Sequence, residues 1–127
     1  MVDLTDNGAS RLQAVSHAMV RLHKEQFGRG PTNSRAFFAG PDALTCVLDD
    51  PLLPAERKMV ALGSADRVRD SRVAFQAATH DEFVAAVEDI LGRKVRAFAS
   101  AVDPASNVVF ENFAFEPRDG DRPAPAA

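Results

Sequence analysis

The sequence predicts one α+β domain: two β-hairpins forming a four-stranded antiparallel or mixed sheet, with helices packed on one face and the order α-β-β-α-α-β-β. Three observations carry this. Apolar residues recur at helical spacing over residues 11–27 and again over 64–91. Two pairs of β-prone runs, 35–39 with 43–49 and 95–102 with 107–115, are each joined by a short turn rich in Gly, Pro, Asp or Ser. At 127 residues the chain can bury one sizeable core without disulfides.

Residues 1–9 are polar, with Asp6-Asn7-Gly8 as a turn signal, and read as a flexible N-terminal arm. Ser10 is placed as the N-cap of a first helix over 11–27, whose stripe is Leu12, Val15, Met19 and Leu22. His17 and His23 fall on its wetter side. The run 43–49 is apolar on both faces and belongs in the middle of the sheet, whereas 35–39 is flanked by polar residues. Pro54-Ala55-Glu56-Arg57 opens a short helix, with proline at the first helical position and an acid in the first turn. Gly63 closes it.

Val68, Arg72, Phe75, Thr79, Phe83, Val87 and Ile90 keep nearly one helical phase, which favours a single helix over 64–91. Thr79-His80-Asp81-Glu82 matches a capping box, so a break into two helices at Thr79 is the alternative. In the second hairpin Phe98, Phe110, Phe113 and Phe115 are expected to feed the core. The expected helix-layer core is Leu12, Val15, Met19, Phe75, Phe83, Val87 and Ile90. The domain is bounded at 10–117, and the Pro/Ala-rich 118–127 reads as a disordered tail.

The net charge of −3 opposes nucleic-acid binding by bulk charge. The one cysteine, Cys46, lies in an apolar run, so it excludes an internal disulfide and fits a buried residue in a reducing compartment. No signal segment or membrane-length apolar run is present, so the chain is expected to be cytoplasmic and not membrane-spanning. No nucleophile elbow, phosphate loop, dinucleotide fingerprint or metal-spaced histidine pair occurs. The chain is accordingly read as non-enzymatic, with no cofactor.

The stretch with most local chemistry is the loop Gly28, Arg29, Gly30, Pro31, Thr32, Asn33, Ser34 and Arg35. Glycines end the helix, and short polar side chains sit between two guanidinium groups, a composition that suits a carboxylate or phosphate on a ligand or partner. A plain helix terminator is the competing reading. Arg72 projects along an apolar stripe, either as a salt-bridge residue or as part of a binding surface. Phe37, Phe38, Phe110, Phe113 and Phe115 are many aromatics for two hairpins with one wet face, which predicts a homodimer.

Three blocks together resemble the MpsC-like family of small bacterial proteins. They are residues 22–35 (LHKEQFGRGPTNSR), residues 53–57 (LPAER), and VRDSRVAFQ at 68–76 with VEDILGRKV at 87–95. The similarity spans about 10–117. The family is named for a sodium-linked membrane-potential-generating system, associated through its membrane partners with inorganic carbon uptake. The resemblance implies an accessory or regulatory component that acts by binding, with membrane transport subunits as partners and no established catalytic residue. It adds Glu56, Arg57 and Arg72 to the loop as candidate binding residues. Leu53 stands where a helix-capping threonine is frequent, and Ser71 replaces a longer polar residue. Two other classes compete: a small-molecule or anion sensor using the Arg29 loop, and a KH-like RNA-binding module, for which 77–80 would have to form a Gly-x-x-Gly turn and does not carry its glycines.

Overall fold

A computed structural model describes residues 4–118 of the chain. The elements run α1 (Leu4–Phe27), β1 (Asn33–Phe38), β2 (Ala43–Asp49), α2 (Pro54–Ala61), α3 (Ala65–Leu91), β3 (Val95–Asp103) and β4 (Val108–Phe115). The sheet has the order β1-β2-β4-β3 and every pairing is antiparallel. β2 is central, as its two-faced apolar pattern requires, and β1 and β3 are the edges.

Strand alternation splits the sheet cleanly. Leu44, Cys46 and Leu48 of β2, with Val109, Phe113 and Phe115 of β4, point inward and are buried. α1 meets them with Val15, Ala18, Met19 and Leu22, one stripe at helical spacing, and α3 with Phe83, Val87 and Leu91. Leu12 and Ile90 are only partly buried against this core. Rings tie the layers together: Phe83 stacks on Phe98 at 5.6 Å between centroids, and Phe98 on Phe113 at 4.6 Å. The opposite face carries Phe37, Val47, Phe110 and Ala101, and no helix packs on it.

Four expectations are corrected. α1 starts at Leu4, so part of the expected arm is helical and Ser10 lies inside the helix rather than capping it. Phe75 is 43% exposed and Phe110 39%, so neither is core. Phe113 and Phe115 are core residues, as expected of the second hairpin, and so drop out of the surplus of aromatics on which the homodimer expectation rests. His23, assigned to the wet side, is 4% exposed. Residues 1–3 of the arm and 119–127 of the tail lie outside the described residues.

α3 is continuous through 79–82, and the Thr79 hydroxyl donates to the Phe75 carbonyl at 2.8 Å within the helix instead of capping a new one. A long helix therefore occupies the position where a KH-type turn would be needed. Between Arg72 and Phe83 no residue of α3 is buried. The middle of this helix stands away from the sheet, and a cavity lies beneath it.

Candidate functional site

The loop after α1 is shaped by two glycines with different tasks. Gly28 takes a left-handed conformation (φ 80°) and its N–H caps the helix at the Lys24 carbonyl, 2.9 Å away. Gly30 passes so close to α1 that a Cβ there would sit 3.2 Å from the Val20 carbonyl oxygen. Between them Arg29 turns inward. Its guanidinium donates to the carbonyls of Asp50 (2.9 Å) and Leu52 (2.7 Å) and to the Asp50 carboxylate (3.1 Å).

The segment 50–53 that Arg29 grips is held from three further directions. Asn107 accepts from Leu52 N–H at 3.0 Å, donates to the Asp50 carboxylate at 2.7 Å, and accepts Asp50 N–H on its main-chain carbonyl at 3.0 Å. Asp50 and Asn107 both adopt left-handed φ (57° and 56°), a conformation that short side chains with local hydrogen bonds tolerate. Arg72 donates to the Pro51 carbonyl at 3.0 Å. It also holds both oxygens of Glu56, through Nε at 2.8 Å and Nη2 at 2.5 Å, in a fork-to-fork pair. Glu56 in turn accepts Leu53 N–H at 2.8 Å, half of a capping box; an aliphatic Leu53 has no side-chain oxygen to supply the other half.

The electrostatics follow this geometry. Burial pushes the Glu56 carboxyl up, but hydrogen bonds from Arg72 and Leu53 N–H and the Arg72 charge outweigh it, so it titrates below the ordinary value of 4.5. The hydrogen bond from Arg29, ahead of one from Asn107 and the charges of Arg29 and Arg57, holds Asp50 below 3.8. Burial first, and then the nearby Glu111 charge, lift the Cys46 thiol to about 12, which keeps it protonated and unreactive.

The sequence-predicted residues thus divide into two places. Arg29, Glu56 and Arg72 converge on the strap 50–53, and exposed Arg57 lies close enough to act on Asp50. Pro31, Thr32, Asn33 and Ser34 instead line a groove of about 350 Å³ against Gln13, Ser16, His17 and Val20 of α1. In it the Ser34 hydroxyl is buried without a partner within the chain. Thr32 N–H bonds the Asp49 carbonyl at 3.0 Å, and the side chains of Asn33 and Arg35 both reach the Asp49 carboxylate (3.2 and 3.4 Å). The loop is therefore rigidly seated, and Arg35 is turned along the sheet edge, not into the groove.

A second concavity was not legible in the sequence. Under the middle of α3, His23, Gln26, Arg72 and Glu111 share a half-open cavity with apolar walls, whose space for water-sized molecules is about 30 Å³. His23 Nε2 meets Glu111 Oε1 at 3.1 Å, with side chains 5% and 3% exposed. The signal that could have exposed this pair is an acid, Glu111, at an inward position of a strand whose inward neighbours are Val109 and Phe113. Helical phase alone could not place His23, because it falls on the margin of the α1 stripe.

Fold and sites define a small α+β protein whose four-stranded antiparallel sheet carries helices on one face and a buried polar cluster between the layers. The chain belongs to the MpsC family: the family model described as "Na+-translocating membrane potential-generating system (MpsC)" matches residues 9–116. No curated protein and no solved structure gives a match. No helix among the described residues is long and apolar enough to cross a membrane.

Proposed function

We propose that this protein is a non-enzymatic, cytoplasmic accessory or regulatory component of a membrane-potential-generating transport system, acting by binding membrane transport subunits. The observation that carries the reading is the groove between α1 and residues 31–34, next to a loop that Arg29 anchors to the strap. A rigid, hydroxyl- and amide-lined groove suits an extended polar segment of a partner, because little loop ordering is required on binding. The family description supplies the setting.

Pairing of two copies through the uncovered sheet face belongs to the same proposal. Phe37 (51% exposed) and Phe110 (39%) lie on that face among alanines, whereas Phe38, opposite the inward Leu44, belongs to the other face. Sedimentation at tens of micromolar should show a dimer, and a monomer would remove this part.

The partner reading is tested in cells. Deleting the gene should lower the sodium-dependent membrane potential reported by a voltage-sensitive dye, and the wild-type chain should restore it. His17→Glu and Thr32→Glu, both at exposed groove positions, should keep the melting temperature and abolish rescue and co-purification with membrane subunits. Full rescue by both variants would overturn the groove assignment, and an unchanged potential in the deletion strain would overturn the transport role.

A further inference from the structure

Five buried side-chain polar atoms have no hydrogen-bond partner among the described residues: His23 Nδ1, Gln26 Nε2, Ser34 Oγ, Arg72 Nη1 and Glu111 Oε2. Four of the five belong to residues lining the cavity under α3. Leaving such a group unpaired forfeits its hydration with nothing in exchange. Four in one cavity mark a built polar floor, because random packing faults would be scattered through the core. His23, Arg72 and Glu111 are each more than nine-tenths buried, at 4%, 7% and 3% exposure.

The chemistry of the floor restricts what can sit on it. Arg72 Nη1 and Gln26 Nε2 can only donate hydrogen bonds, and an ionised Glu111 Oε2 can only accept. His23 Nδ1 donates or accepts according to its tautomer. A ligand therefore has to offer acceptor oxygens on one side and a donor on the other. Charge narrows it further. Arg72 is already matched by Glu56, so an anion brought to it would add a buried charge without a counter-charge. A molecule that carries both charges brings its own compensation.

The walls select the rest of the molecule. Phe27, Phe83 and Phe98 are apolar lining, and Val73 and Phe75, 51% and 43% exposed, are lining residues that reach solvent. Exposed large apolar side chains beside a polar floor are what a ligand with an apolar body would cover. The space for water-sized molecules is about 30 Å³, and the void that includes open solvent at the mouth is about 410 Å³, so a head group placed here would share the open side with the rest of the ligand.

We propose that the cavity under α3 binds a small zwitterion, an α-amino acid with an apolar side chain. Its carboxylate takes the free N–H groups of Arg72 and Gln26, its ammonium faces Glu111, and its side chain lies against Phe75 and Val73. This site is separate from the α1 groove and does not depend on the transport role.

Calorimetry on the purified full chain tests it with three probes of one shape: L-leucine, its deaminated acid 4-methylpentanoate, and its decarboxylated amine 3-methylbutylamine. Leucine should bind, and each single-charge probe should bind at least about tenfold more weakly, the loss of one charge-assisted hydrogen bond. Gln26→Met should weaken leucine about tenfold without lowering the melting temperature, and Thr32→Glu in the groove should leave it unchanged. No heat with any probe up to about 10 mM would overturn the proposal. So would equal binding of leucine and 4-methylpentanoate, which would make the site a simple carboxylate site.

Discussion

Replacing Arg72 with methionine should be among the most damaging single changes in this protein, although Arg72 is a charged residue on a helix. Its side chain is 6% exposed, and its partner Glu56 is 14% exposed. The substitution keeps most of the apolar stem but removes both forked hydrogen bonds to Glu56, the bond to the Pro51 carbonyl, and a guanidinium seated 3.8 Å over the Phe27 ring. What remains is a largely buried carboxylate with only Leu53 N–H to satisfy it. Breaking a buried pair from one side costs about 3–5 kcal/mol, so the expected loss at neutral pH lies in that range. For a domain of this size it corresponds to about 10–20 °C in Tm. Urea titration followed by circular dichroism measures it directly. Adding Glu56→Gln to Arg72→Met should recover part of the loss, because the amide has no charge to desolvate. The pH arm has a definite sign. Glu56 titrates lower in the folded state than its ordinary 4.5, so its contribution is present above about 4.5 and disappears as pH falls through the folded value. The gap between wild type and Arg72→Met should therefore narrow in acid. A loss under about 1 kcal/mol at pH 7, or a gap independent of pH, would refute the placement of this pair at the centre of the strap.

Three further outcomes follow from the same geometry. Arg29→Ala should destabilise by about 1–3 kcal/mol in urea, because one guanidinium supplies three contacts to Asp50 and Leu52; an Arg29 that only bound an external carboxylate or phosphate would leave stability unchanged. Phe75→Ala should cost under about 1 kcal/mol at 43% exposure, whereas Phe113→Ala, at 2%, should cost about 3–5 kcal/mol; a reversed order would mean the α3 phase is wrong. Cys46 should resist iodoacetamide in the folded protein even at pH 9, its thiol held near 12, and react at once in denaturant; fast native labelling would place it at the surface.

The architecture was legible because it is written in periodicity. Alternation fixed the hairpins, and the two-faced apolar pattern of residues 43–49 fixed β2 at the centre of the sheet. The unbroken phase of α3 outweighed a capping-box pattern at Thr79, because inside a helix that hydroxyl has the Phe75 carbonyl to bond instead. Continuity of phase nevertheless misled at Phe75: α3 rises over the cavity between its two buried ends, and a residue can keep the stripe without meeting the sheet. The destinations of the arginines were illegible for a different reason. Several of their partners, the carbonyls of Asp50, Pro51 and Leu52, are main-chain groups that every residue type presents, whereas the Glu56 carboxylate that Arg72 grips is the salt bridge the sequence offered as one of two readings. Whether a guanidinium faces solvent or a carbonyl depends on the turn at 50–53, which only the fold creates.

The three blocks that carry the family resemblance meet in space, and what they do there differs. Arg29 from the first, Glu56 from the second and Arg72 from the third all close on the strap at 50–53. Their contacts to the strap need no ligand or partner to account for them, because they terminate α1, start α2 and dock α3 through one shared segment; only Nη1 of Arg72 is left over for the cavity. The same blocks contain His23, Gln26, Phe75 and Gln76, none of which bonds the strap. Two of these carry buried polar atoms without partners, Phe75 is left half in solvent, and all four line the cavity. Stability alone would favour apolar residues at the buried positions, since an unpaired polar group in a core only costs free energy. His23 is partly used by the fold, through its bond to Glu111, but Gln26, Phe75 and Gln76 are not, which makes them the positions where substitutions should change binding without unfolding the protein.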